Sequence, residues 1–143
     1  MNWIFDRLNG PRVSDKLKFQ NGRVLVMEND ALRVVCLPAK GADIVSFYSK
    51  THHCECLLSP IREFTPVEND PNYPDYISGS NNIWPEFFPV GSIYGNYKGV
   101  AQPFHGEAHV LPWRYDILED SAQMVKVRFR CRMQMTPFEI SRP

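Results

Sequence analysis

Hydrophobic and polar residues alternate with period two along most of this chain, the spacing of half-buried β-strands. The clearest case is residues 124–133. Val125, Val127, Phe129, Cys131 and Met133 fall on one face, and Lys126, Arg128, Arg130 and Arg132 on the other. Trp113, Tyr115 and Ile117, alternating with Arg114, Asp116 and Leu118, predict a second strand. The runs Arg23-Val24-Leu25-Val26-Met27-Glu28 and Leu32-Arg33-Val34-Val35-Cys36-Leu37 flank Asn29-Asp30-Ala31 and predict a hairpin. After a break at Pro38-Ala39-Lys40-Gly41, Asp43-Ile44-Val45-Ser46-Phe47-Tyr48 predicts a further strand, and polar residues 49–53 turn the chain into Cys56-Leu57-Leu58. No segment carries a capped i, i+3, i+4, i+7 stripe, so no long helix is expected. The pattern is all-β.

Between residues 60 and 103 the alternation stops. Pro66, Pro71, Pro74, Pro85, Pro89 and Pro103 interrupt it, and proline removes a ladder donor and fixes φ. The same stretch carries Tyr73, Tyr76, Trp84, Phe87, Phe88, Tyr94 and Tyr97. So aromatic a segment predicts a packed loop over a β scaffold, a common way to build a binding site. No internal repeat or low-complexity tract is present.

Composition narrows the function classes. With 143 residues the chain suits a single domain, and at this size roughly 68–70% of the unfolded-chain surface is buried. Sixteen basic residues balance sixteen acidic ones, so no net charge draws the chain to nucleic acid. The basic row of residues 126–132 therefore reads as a solvated sheet face. No apolar run is long enough to span a bilayer and the N-terminus lacks a basic leader, so neither a membrane nor a secretory route is expected, and a cytoplasmic location is. Of the four cysteines, Cys36 and Cys131 sit inside apolar runs, while Cys54 and Cys56 flank Glu55 in a polar turn; all are expected as free thiols.

Candidate chemistry gathers in two segments. One is Asn81-Asn82-Ile83-Trp84-Pro85-Glu86-Phe87-Phe88-Pro89; the other is Pro103-Phe104-His105-Gly106-Glu107-Ala108-His109-Val110-Leu111-Pro112-Trp113. Aromatic faces beside an imidazole, amides and carboxylates suit a sugar, whose C–H faces stack while its hydroxyls pair. Trp84, Glu86, His105, Glu107 and Arg62 are the candidate substrate-binding residues, with Trp113 divided between stacking platform and core. If extended, Glu107 lies on the same side as His105, as a substrate carboxylate or a solvated acid. A rival class comes from His52-His53-Cys54-Glu55-Cys56, which offers imidazole and thiolate ligands to zinc or copper. It lacks the second ligand pair of a structural zinc site, so a polar turn is preferred and no metal is assigned. Gly-rich phosphate loops and Gly-x-Ser-x-Gly are absent.

The order Gly41-Ala42-Asp43-Ile44-Val45-Ser46-Phe47, Trp84-Pro85-Glu86-Phe87-Phe88-Pro89, Phe104-His105-Gly106-Glu107-Ala108 and Leu111-Pro112-Trp113 resembles the N-terminal half of the aldose 1-epimerase (galactose mutarotase-like) superfamily. The likeness runs from about residue 22 to the end of the chain. It implies an antiparallel β-supersandwich, incomplete here, with residues 1–143 expected to form the N-terminal portion of a longer fold. It implies a cofactor-free activity in which an aldose ring opens by acid–base catalysis and recloses as the other anomer. His105 matches the family's substrate-contacting His-Gly histidine and is the candidate catalytic residue. The family's general acid and general base lie further along than this chain extends. The expected partner is therefore a small aldose or sugar derivative. A non-catalytic carbohydrate-binding module is the alternative, and homodimers through exposed strand edges are a further expectation.

Overall fold

The computed structural model describes residues 10–19, 22–57, 84–89, 96–102 and 105–143. Within them the chain is all-β, with two antiparallel sheets packed face to face. The larger sheet has five strands in sequence order: β1 (Arg12–Phe19), β2 (Gly22–Glu28), β3 (Leu32–Leu37), β4 (Asp43–Ser49) and β5 (Cys54–Glu55). The smaller has three, with β9 (Val125–Arg132) between β8 (Arg114–Asp120) and β10 (Glu139–Arg142). A separate two-stranded ribbon joins β6 (Asn96–Tyr97) to β7 (Val100–Ala101). Among the described residues no helix is long and apolar enough to cross a membrane.

The two sheets differ in how they are buried, and their sequences differ accordingly. Strand β9 alternates cleanly: Val127, Phe129 and Cys131 face the core while the residues between them are exposed. A sheet with one wet face requires that pattern. Strands β2 and β3 instead read as continuous apolar runs because both faces of their sheet are covered. Leu25 and Cys36 point between the sheets and join Trp113, Val127, Phe129 and Met133; Val24, Val26, Val35, Leu37 and Val45 form a second buried cluster on the opposite face. The Asn29 turn closes the β2–β3 hairpin, its side-chain oxygen accepting the N–H groups of Ala31 and Leu32. Buried Glu28 holds that end of the sheet, pairing with Arg12 across the β1–β2 ladder and with Lys50 at 2.8 Å.

Strand β1 had no counterpart in the sequence reading. Asp15, Lys16 and Lys18 hide its alternation, and a register shift between Ser14 and Leu17 breaks the period. Cys54 and Glu55, assigned to a turn, form a short edge strand on β4. The strand read from Trp113 begins at Arg114, and a bulge between Ile117 and Glu119 leaves both Ile117 and Leu118 exposed.

Two backbone hydrogen bonds join the sheets at one end. The Trp113 N–H donates to the Pro38 carbonyl at 2.7 Å, and the Gly41 N–H to Leu111 at 2.8 Å. Gly41 adopts φ +63°, and a Cβ there would lie 2.3 Å from the His109 carbonyl oxygen, so only glycine lets the two turns meet. Further along, the Tyr115 hydroxyl bonds Asp15 of β1 at 3.0 Å. Between the sheets a cleft of about 410 Å³ stays open, lined by Met27, Val34, Ile44, Val127, Phe129 and Arg142.

Candidate functional site

The segment 84–89 is held at both ends. The Trp84 N–H donates to Asp43 Oδ1 at 2.6 Å, and its carbonyl accepts the Ile44 N–H at 3.2 Å, so the segment starts alongside β4. At its far end the Phe88 carbonyl accepts the Ala108 N–H at 2.9 Å. This docks the two candidate segments side by side. Gly106 makes the approach possible: its φ is +82°, and a Cβ would fall 2.3 Å from the Pro89 oxygen and 2.4 Å from the Phe88 carbonyl carbon. The glycine of the His-Gly pair is thus a contact requirement between loops.

The result is an aromatic ledge. Trp84 is 52% exposed, with its indole edge-on to Phe47 at 6.0 Å. Phe87 is 45% exposed and stacks on the half-buried His105 ring at 4.2 Å. Two residues, Pro85 and Glu86, separate Trp84 from Phe87, so the two Cα atoms lie at most about 11 Å apart. Glu86 lies between them and pairs with Arg142 Nη1 at 2.9 Å. Arg142 also donates to the Ala42 carbonyl at 3.1 Å and lies over the Trp113 and Phe129 rings. It therefore ties the ledge to the core. The sequence reading singled out neither Arg142 nor these partners, although the residue ends strand β10.

Behind His105 sits His109, fully buried, with ring centroids 5.8 Å apart. Burial pushes its pKa down to about 4; a backbone hydrogen bond at Gly106 opposes this, and the charges of His105 and Lys40 add to it. His109 is therefore a neutral imidazole at pH 7.

Glu107 departs from expectation. It is neither solvated nor on the ledge: the side chain is fully buried and turned inward. Oε2 accepts the N–H groups of Gln134 and Met135 at 2.6 and 2.7 Å, and Oε1 accepts the N–H and hydroxyl of Thr136, both at 2.9 Å. The carboxylate is the organising centre of the turn between β9 and β10. The chain is not extended here but turns through residues 107–110, so Glu107 and His105 diverge. Trp113 belongs to the core, 4% exposed, its indole N–H donating to Ala108 at 2.8 Å. Arg62 lies outside the described residues.

Among the described residues no cluster of three or more His, Cys, Asp or Glu side chains could hold a metal ion. In the His52–Cys56 run the Glu55 carboxylate is committed to Ser46 and to the Phe47 and Leu57 N–H groups. Buried Cys36 and Cys131 are inert thiols, each pushed up to about 12, chiefly by burial. Comparison with family models, curated proteins and solved structures gives no match.

Proposed function

We propose that this chain binds a small carbohydrate on the ledge formed by Trp84, Phe87 and His105, and that it is related to the aldose 1-epimerases. One observation carries the reading. Two large aromatic side chains stay about half exposed on a segment that is anchored by backbone hydrogen bonds, beside an imidazole and an ion pair. Rigid aromatic faces with convergent polar groups are what a pyranose needs for stacking and orientation. His105 would contact hydroxyls near the anomeric carbon, and the Glu86–Arg142 pair would offer an acceptor and donors at the other rim.

Binding without turnover is favoured over catalysis by the state of the two candidate carboxylates among the described residues. Ring opening needs a base for the anomeric proton. Glu86 is paired with Arg142 and Glu107 is enclosed by the 134–136 turn, so neither is disposed as that base. Titrating aldoses into the protein while following tryptophan fluorescence tests the proposal. Saturable change that disappears in Trp84→Ala supports it; no saturable response to any aldose rejects it. A polarimetric assay on the same samples separates the two versions, with anomer interconversion above the spontaneous rate selecting the enzyme.

A further inference from the structure

At the β5 edge of the large sheet, Cys54 in β5 and Cys56 just after it carry two thiols that the carbohydrate reading does not use. Cys54 and Cys56 are both exposed and free. They are two residues apart, so in a strand their side chains share one face and Glu55 takes the other. The structure fixes that arrangement firmly. Ser46 Oγ donates to Glu55 at 2.5 Å, the Phe47 N–H at 2.8 Å and the Leu57 N–H at 3.1 Å, while the Cys56 N–H donates to the Phe47 carbonyl at 3.0 Å. Burial pushes the Glu55 carboxyl up, but these hydrogen bonds together hold it below the usual carboxylate range, so the clamp is charged at neutral pH. With Glu55 pinned against β4, both sulfurs are held outward together. Slight desolvation, then the neighbouring Cys54 thiol, push the Cys56 thiol up.

We propose that Cys54 and Cys56 form a reversible dithiol–disulfide couple that exchanges with low-molecular-weight disulfides such as oxidised glutathione. One thiolate attacks a sulfur of the small disulfide; that S–S bond breaks, one small thiol leaves with a proton, and a mixed disulfide remains. The second cysteine, its proton given to water, attacks the protein sulfur of the mixed disulfide and expels the second small thiol. Two protein thiols are oxidised to one disulfide, and one small disulfide is reduced to two thiols. The geometry permits closure. Residues two apart in a strand have Cα atoms about 6.6 Å apart, just within the roughly 4.4–6.8 Å span of disulfides. Tyr48 opposite Glu55 is the last ladder pair on the Cys56 side, and beyond it a single backbone hydrogen bond to Phe47 holds Cys56, so closure disturbs at most that one bond. A bond closed at the edge of that span, and exposed, belongs to the readily reduced kind.

The test incubates the full chain in glutathione redox buffers, quenches with acid, alkylates remaining thiols and maps them by mass spectrometry. The proposal expects a species lacking two hydrogens, assigned to Cys54–Cys56, that returns to dithiol in reduced glutathione, with Cys36 and Cys131 alkylated only after denaturation. Cys54→Ser and Cys56→Ser should each accumulate the glutathione adduct at the remaining cysteine. Glu55→Ala, with its fold checked by circular dichroism, should lower the ratio of cyclised to adduct species several-fold. Glutathione adducts on both cysteines of the wild type, or disulfide-linked dimers, without a cyclised species would overturn the proposal; unchanged cyclisation in Glu55→Ala would remove the clamp from it.

Discussion

Replacing Glu107 by Gln separates a structural carboxylate from a ligand-binding one. The side chain keeps its size, but one of the two oxygens becomes an NH₂ donor. Each oxygen faces two donors: Gln134 and Met135 N–H on one side, Thr136 N–H and Oγ1 on the other. The amide can turn its NH₂ towards Thr136, whose hydroxyl then accepts, so one hydrogen bond becomes a donor–donor contact with the Thr136 N–H and the other three lose their charged partner inside a fully buried site. Hydrogen bonds to a charged acceptor contribute roughly 1.5–3 kcal/mol each and neutral ones roughly 0.5–1.5 kcal/mol, so losing one and weakening three costs about 3–6 kcal/mol. Against a typical total of about 5–15 kcal/mol this is severe. In a chain of this size the melting temperature should fall by on the order of 10 °C. Urea or guanidinium unfolding, followed by circular dichroism, measures the change. Thr136→Val removes one of the four donors and should cost clearly less. The reasoning is refuted if Glu107→Gln retains stability within about 1 kcal/mol of wild type, the range of an ordinary exposed substitution. Retained stability with weakened sugar binding would return Glu107 to the binding surface.

Three further outcomes follow from the same geometry. Gly106→Ala places a methyl group 2.3 Å from the Pro89 oxygen at positive φ, so it should destabilise by at least about 2 kcal/mol and separate the two loops, seen as altered Trp84 fluorescence. His109 has its folded-state pKa depressed to about 4, so the unfolded chain binds the proton first as pH falls from about 6.5. The stability present above pH 6.5 is then lost progressively towards pH 4, by about 3 kcal/mol, and His109→Gln should flatten that part of a stability–pH profile. Trp113→Ala should cost about 3–5 kcal/mol as a core truncation, while Trp84→Ala, half exposed, should cost under about 2 kcal/mol; denaturant midpoints of the pair compare them.

Strand β9 was legible because one face of its sheet meets water, which stamps the alternation of Val127, Phe129 and Cys131 onto the sequence. Strands β2 and β3 were legible for the opposite reason, as unbroken apolar runs in a sheet covered on both sides. Strand β1 was not, since charged residues and a register shift erase its period. Of the candidate site, the two segments were legible as aromatic, proline-rich and histidine-bearing, and their docking is carried by Gly106, whose role only the loop-to-loop contact reveals. The fate of Glu107 was illegible. A carboxylate destined for a sugar and one destined for the 134–136 turn look alike, and its partners lie 27 to 29 residues downstream. Arg142 was illegible likewise, as its bond to Glu86 spans 56 residues.

The most direct measurement is NMR shift mapping of the aromatic side chains during an aldose titration. The account predicts saturable shifts at Trp84, Phe87 and His105 with one common affinity, and none at Trp113 in the core. Saturable shifts confined to residues lining the intersheet cleft, or no shifts at all with any aldose, would contradict it.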